Sequence, residues 1–185
     1  IIGTLVDFGE KNNLKVSVYT GDKDANQLIS PQTTIYRTVK GVTELDIYNE
    51  ETLLDKYGLK PDQFRDFLGL MGDSSDNIPG VPGIGEKTAA KIIKEYHSIE
   101  NAHDHIEEIK PARAKNNLQE YYEQAIMSKD LATIKKDCDI SYDFKDAKIG
   151  TLFTKDAYQL FKELELKSLF KYFGEEEKEE ETLEV

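Results

Sequence analysis

The sequence predicts an α/β fold whose strands are confined to the first third of the chain, followed by a region built only of helices. Three observations carry this. "LKVSVYT" (14–20) alternates Leu14, Val16 and Val18 with polar residues, and "TTIYRTV" (33–39) and "TELDIYN" (43–49) are two further short β-branched and aromatic runs. Beyond residue 50, apolar residues recur at helical spacing. Between two of those helical stretches lies "PGVPGIG" (79–85), a tight turn rich in proline and glycine.

Taken in order, "IIGTLVDFGEKNN" (1–13) sets Ile2, Leu5, Val6 and Phe8 on one helical face without an N-cap, so it reads as a chain entering mid-helix, with more protein expected upstream. After the first strand, Ala25 to Ile29 carries a helical pattern. The second and third strands turn at Lys40-Gly41. "EETLLDKYG" predicts a short helix with Asn49 as N-cap and Gly58 at C′. "PDQFRDFLGLMG" predicts another, with Pro61 in its first turn and Phe64, Phe67, Leu68 and Met71 on one face. Glu86 to Tyr96 buries Ala89, Ile92, Ile93 and Tyr96, and "SIENAHDHIEEI" starts at a Ser98 cap. "PARAKNNLQEYYEQAIMSKDLATI" reads as one longer helix broken near Ser128. "TKDAYQLFKELELKSLFKYFG" closes with two helices capped by Thr154 and Ser168. The layout is an α/β part over 1–60, a helical part over 61–174 and an acidic tail over 175–185, with no internal repeat.

Net charge is −12, which by itself argues against a nucleic-acid partner. The tail "EEEKEEETLEV" holds seven Glu and one Lys, however, so half of that charge sits in a solvated linker-like segment. In the body, basic residues bunch at Lys87, Lys91 and Lys94 and again at Lys110, Arg113 and Lys115. No apolar run approaches the roughly 20 residues of a membrane span, and no signal-peptide pattern opens the chain. Cys138 stands alone and cannot form an internal disulfide, which fits a reducing, cytoplasmic compartment.

Two pairs of carboxylates are candidate metal ligands. Asp22 and Asp24, in "YTGDKDANQL", sit where the first strand gives way to the next element, the carboxyl-end position at which open α/β sheets bind ligands. At a spacing of i and i+2 they can converge while Lys23 points away, and hard oxygen ligands suit Mg²⁺ or Mn²⁺. The same residues equally suit a helix cap, Asp22, and a favourable first-turn charge, Asp24. Asp73 and Asp76, in "MGDSSDNIPG", fall on one face if the segment is a helical turn; Asp, Ser and Asn are also ordinary turn residues. Two such pairs, each at the end of an element, raise the case for one shared metal site.

"PGVPGIGEKTAAKII" resembles two nucleotide loops without satisfying either. After Gly80 and Gly85 the GxxxxGK[ST] pattern meets Glu86 instead of lysine, and GxGxxG, starting at Gly83, ends on Thr88. No strand feeds either one. What remains is helix, tight turn, helix. Gly83 and Gly85 allow positive φ and close approach, and the free amides at the start of the second helix face the turn. With Lys87, Lys91 and Lys94 around it, such a turn suits one phosphodiester, gripped without reading bases.

"GDKDANQLIS", "DKYGLKPDQF" and "GLMGDSSDNIPGVPGIGEKTAAKIIKEY", in this order and spacing, resemble the 5′-nuclease (flap endonuclease) domain of bacterial DNA polymerase I, from Ile1 to about Gly174. The resemblance implies the remnant of a mostly parallel, PIN-like sheet followed by a helical region with a helix–three-turn–helix, or helix-hairpin-helix, element. It implies that Asp22, Asp24, Asp73 and Asp76 help hold two divalent metals, Mg²⁺ or Mn²⁺, for phosphodiester hydrolysis. It further implies that Gly83, Ile84, Gly85, Lys87, Thr88 and Lys91 contact DNA, in places through a K⁺ ion. The implied substrate is branched or nicked duplex DNA with a 5′ flap, in replication and repair at the bacterial nucleoid, with polymerase domains in cis when the chain is part of a longer one. The family's remaining acidic ligands and its helical arch lie in an N-terminal half upstream of the segment resembling "IIGTL". The chain alone is therefore expected to bind metal weakly and to cleave flaps poorly.

A non-catalytic duplex-binding hairpin module is the competing reading, and a small-molecule phosphate-binding protein a third. His97, His103 and His105 read as surface or packing residues, and the helically spaced Phe64, Phe67, Tyr121, Tyr122, Phe161 and Phe170 as core.

Overall fold

A computed structural model describes residues 1–40 and 44–174. The chain forms two compact units, Ile1–Asp139 and Ile140–Val185. The turn expected at Lys40-Gly41 and the acidic tail lie outside the described residues.

In the first unit, α1 (Ile2–Lys11) leads into β1 (Val16–Tyr19). β2 (Thr33–Lys40) pairs parallel to β1, Val18 opposite Ile35, and β3 (Glu44–Tyr48) pairs antiparallel to β2, Ile35 opposite Tyr48. Val18, Thr33, Ile35 and Tyr48 share one buried face, as the period of two demands. The helix expected at Ala25–Ile29 is a 3₁₀ segment, Lys23–Leu28. It stops at Ile29, which is extended (φ −62°, ψ 134°), and Pro31 disfavours helical geometry at Ser30 as well.

α2 (Glu50–Tyr57) has the expected ends. Asn49 accepts from Thr52 N at 2.9 Å while Thr52 Oγ1 accepts from Asn49 N at 2.8 Å, and Gly58 closes the helix at φ 67°. Pro61 opens a 3₁₀ turn that runs into α3 (Phe64–Met71). Phe64, Phe67 and Leu68 are buried, and the rings of Tyr57, Phe64 and Phe67 form one cluster with centroids 5.1–5.7 Å apart. α4 (Glu86–Tyr96) buries the expected four residues, and Ser98 caps α5 (Ile99–Asp104) by accepting from Asn101 N at 3.1 Å.

The long helix breaks elsewhere than expected. α6 (Ala112–Glu120) and α7 (Tyr122–Ala132) meet at Tyr121, whose φ of −108° and ψ of 25° leave the helical region. Ser128 instead sits fully buried inside α7, and its hydroxyl accepts from Gly80 N at 3.1 Å. Its polarity serves a tertiary contact, not a break. α7 also packs tightly on α3: a Cβ at Gly69 would lie 2.8 Å from Lys129 Cβ. Beside it, Asp66, only 2% exposed, accepts from Lys129 Nζ at 2.7 Å and Ile99 N at 3.0 Å, so the buried charge is paired and hydrogen-bonded.

Residues on both sides of position 60 share one apolar core, running from Val6 through Leu53 and Phe67 to Leu118 and Ala132. In the second unit, Thr154 caps α8 (Lys155–Glu163), accepting from Ala157 N at 3.2 Å. The last helix is a 3₁₀ segment, Lys167–Tyr172, and Ser168 lies inside it and not at its cap. Glu165, at φ 55°, reverses the chain so sharply that the next turn begins at Leu166. Phe173 is packed edge-on by Phe153, Tyr158 and Phe161.

Candidate metal and nucleic-acid site

Past β1 the chain turns at Asp22, whose carboxylate accepts from Asp24 N at 2.9 Å and caps the 3₁₀ segment. That turn carries Asp24 inward. Asp73 to Ile78 is the second contributor, and it is a closed loop instead of the expected helical turn: Asp73 N bonds Ile78 O at 2.9 Å and Ile78 N bonds Asp73 O at 2.8 Å. Asn77 takes φ 57° to close it. Inside the loop, Asp73 Oδ1 accepts from Ser75 N at 2.9 Å and Ser75 Oγ at 2.7 Å. Serine and asparagine thus use their local turn chemistry, which wins over helix continuation after Gly72.

The result is a cluster. One carboxylate oxygen each from Asp24, Asp73 and Asp76 lie within 4.8 Å of one another. Asp73 is buried, Asp24 partly buried and Asp76 exposed. Asp22 is not among the three; it is exposed and holds the Asp24 amide. Lys23 departs from expectation as well. It does not point away but bonds Asp73 Oδ2 at 2.9 Å. A 3₁₀ turn does not alternate sides as a strand does, so neighbours of Asp24 swing toward the same space.

The electrostatics follow from this crowding. Burial, with the charges of Asp22 and Asp73, raises the Asp24 carboxyl to about 6. Its Oδ1 is buried without a hydrogen-bond partner among the described residues. Burial pushes Asp73 up as well, but Lys23 and the two Ser75 donors outweigh it and hold that carboxyl at about 2. An orphaned, buried carboxylate oxygen beside two other acidic oxygens fits a hard divalent cation, which would supply the missing partner.

Ionisation of Asp24 acts on stability with a definite sign. A carboxyl whose folded pKa lies above its unfolded value binds more protons when folded, so its ionisation destabilises the chain as pH rises from about 4 to about 6. Asp24→Asn is therefore expected to stabilise the metal-free chain at pH 7.5 by roughly 1–2 kcal/mol, discounted for partial exposure. The gain disappears near pH 4. Urea unfolding in EDTA at both pH values measures it, and a substituted chain less stable than the parent at pH 7.5 would refute it.

The hairpin lies immediately after this loop. Val81 N bonds Leu70 O at 2.8 Å, and Ile84 N bonds Val81 O at 3.0 Å across Pro82-Gly83, with Gly83 at φ 76°. Proline then glycine at the centre of such a turn is the type II preference. Gly85 does not share the positive φ expected of it: it is extended, at φ −93° and ψ −179°, and is the N-cap of α4. Its Cβ would meet nothing within 4 Å, so what glycine provides there is an open approach to the backbone. Ile84 is 2% exposed, so its side chain anchors the turn in the core and only its backbone is available to a ligand. Lys87 and Lys91 are exposed and Thr88 partly so. Among the described residues, the amides of Gly85, Glu86 and Lys87 donate to nothing.

Two side chains that the sequence did not assign to the turn complete it. Asn117 Nδ2 donates to Pro82 O at 2.6 Å, and a Cβ on Gly83 would lie 3.1 Å from Arg113 Nε. Arg113 is exposed. The only signal for it was its place in the basic bunch on what became α6. None of the three histidines joins the acidic group; His103 stacks on Tyr122 with ring centroids 3.9 Å apart, and His97 meets Gln63.

Residues 59–156, more than half of the chain, match the family described as "5'-3' exonuclease, C-terminal SAM fold". The chain belongs to that family. It is 43% identical to DNA polymerase I of Bacillus subtilis over 98% of its own length and 21% of that protein, and 42% identical to DNA polymerase I of Bacillus caldotenax over the same shares. It thus spans about a fifth of these relatives. Among solved structures, T5 5′-exonuclease with bound zinc ions superposes with a TM-score of 0.60 at 20% identity, covering 70% of this chain and 48% of that one. T5 D15 flap endonuclease in complex with DNA and metal ions gives 0.60, covering 71% and 47%. The fold is shared with both.

Proposed function

We propose that this chain is the C-terminal portion of a 5′–3′ exonuclease and flap endonuclease domain of a DNA polymerase I-like protein. In this reading it hydrolyses phosphodiesters of nicked or branched duplex DNA with a 5′ flap, in bacterial replication and repair, with polymerase domains in cis. The supporting observation is that Asp24, Asp73 and Asp76 form one cluster, and that the loop bearing Asp73 and Asp76 leads directly into a turn whose amides at Gly85, Glu86 and Lys87 donate to nothing among the described residues. Asp24, Asp73 and Asp76 would hold Mg²⁺ or Mn²⁺, and Asp22 would position Asp24. When bound, such a metal would supply an acidified water and charge compensation for phosphodiester hydrolysis. The amides of Gly85, Glu86 and Lys87, with Lys87, Lys91 and Arg113 around them, would hold another phosphate of the same duplex, directly or through K⁺. The structural neighbours agree in kind: one carries divalent zinc, another DNA and metal ions.

Salt-dependent binding of a nicked duplex tests the grip. Two lysine–phosphate contacts contribute about 1.8 to the slope of log affinity against log salt. Lys87→Ala with Lys91→Ala is expected to remove about that much, equally for unrelated duplex sequences. An unchanged slope would remove the hairpin from the DNA interface.

A further inference from the structure

Among the described residues, the acidic cluster contains one cation of its own. Lys23 Nζ lies 2.9 Å from Asp73 Oδ2, and its side chain is about a third exposed while that of Asp73 is 6% exposed. The lysine therefore reaches in from the solvent side to the most buried of the three carboxylates. Asp73 Oδ1 is already committed to two Ser75 donors, so Oδ2 is the oxygen left for a metal, and it is the one Lys23 occupies. A buried carboxylate without a positive partner is costly, and an ammonium on a flexible stem is a point charge that can leave without breaking a fixed fork geometry.

From this juxtaposition of Lys23 Nζ, Asp73 Oδ2 and the unsatisfied Asp24 Oδ1, we infer that Lys23 is the resident counter-ion of the metal-free cluster and competes with the divalent cation for Asp73. The inference rests on the metal-site reading of Asp24, Asp73 and Asp76. Lys23 neutralises the cluster while it waits and has to release Asp73 Oδ2 when the metal arrives. It makes the empty site stable and, by the same contact, lowers its affinity for metal. Without metal, Asp24 Oδ1 has no partner among the described residues, because the ammonium is engaged at the neighbouring carboxylate. Lys23 is thus a residue that sets metal affinity, and its action runs through Asp73.

Calorimetric titration of the EDTA-treated, dialysed chain with Mn²⁺ tests this, with melting curves to verify folding. Lys23→Met removes the charge and keeps the length; it is expected to bind Mn²⁺ roughly 5- to 50-fold more tightly, the range a single partly screened charge contact supports. Its metal-free form is expected to melt below the parent and to gain more on adding Mn²⁺. Lys23→Arg, which keeps the competing charge, is expected to bind within about threefold of the parent. If the parent binds Mn²⁺ and Lys23→Met binds it equally or more weakly, the counter-ion role is overturned while the metal site stands. If neither binds, the titration is repeated in a complete 5′-nuclease domain carrying this chain, and if Asp24→Asn does not weaken Mn²⁺ binding there, the metal site itself falls and the counter-ion role with it. Should Lys23→Met fail to fold, titration of Lys23→Gln decides by the same criterion.

Discussion

In a complete 5′-nuclease domain carrying this chain, Asp24→Ala combined with Asp76→Ala is expected to lower Mg²⁺-dependent cleavage of a 5′-flap duplex by a factor on the order of 10³ or more. Binding of the same duplex, measured in Ca²⁺, is expected to fall less than about threefold, because backbone amides and lysines carry the grip. The cause is geometric. Asp24 and Asp76 contribute two of the three acidic oxygens that lie within 4.8 Å of one another. Removing both leaves Asp73, which Lys23 and Ser75 already satisfy. Residual cleavage within tenfold of the parent would show that the chemistry is done elsewhere, and an equal loss of binding and cleavage would show that the aspartates act by holding the duplex and not on the scissile bond.

Gly80→Val is expected to cost about 3–5 kcal/mol and lower Tm by roughly 10–15 °C. Gly80 sits at φ 60°, and an added Cβ would lie 2.4 Å from Gly72 N and 2.6 Å from Met71 C. Those are backbone atoms of the turn that leads into the Asp73 loop, so neither side can yield. Gly85→Ala is the contrast: its Cβ enters open space at φ −93°, and the cost in stability is expected to stay near or below about 1 kcal/mol. Under the proposed function, its effect is expected on duplex affinity. Differential scanning calorimetry separates the two, and a Gly80 variant that melts within a few degrees of the parent would refute the close-packing account.

Periodicity exposed most of the helices because their buried faces are regular: Ala89, Ile92, Ile93 and Tyr96 of α4 were all legible. The caps at Asn49, Ser98 and Thr154 were legible for the same local reason, since each side chain bonds the amide three residues on. What local rules could not show was set by tertiary contact. Ser128 read as a breaker because its partner, Gly80, is 48 residues away. Ser168 read as a cap because nothing local marks Glu165 for a positive φ. At the site, the acidic residues were visible as types and spacings, but their sorting was not. Asp22 caps and Asp24 turns inward because the segment is 3₁₀, and Lys23 came inward with it. Gly85 was singled out for a positive φ, yet its value lies in the space around it.

Gly80 is held from behind at both of its polar groups: its N–H donates to Ser128 and its carbonyl accepts from Gln124 at 2.7 Å, one turn apart on α7. In mechanical terms α7 is a splint. It clamps the chain midway between the acidic loop and the Gly83 turn, so the span between them cannot stretch or shorten without unmaking bonds to the packed face of α7. Under the proposed function, the interval between the phosphate held and the phosphate cut would be a property of α7 as much as of either end, and the residues that set it need never meet DNA.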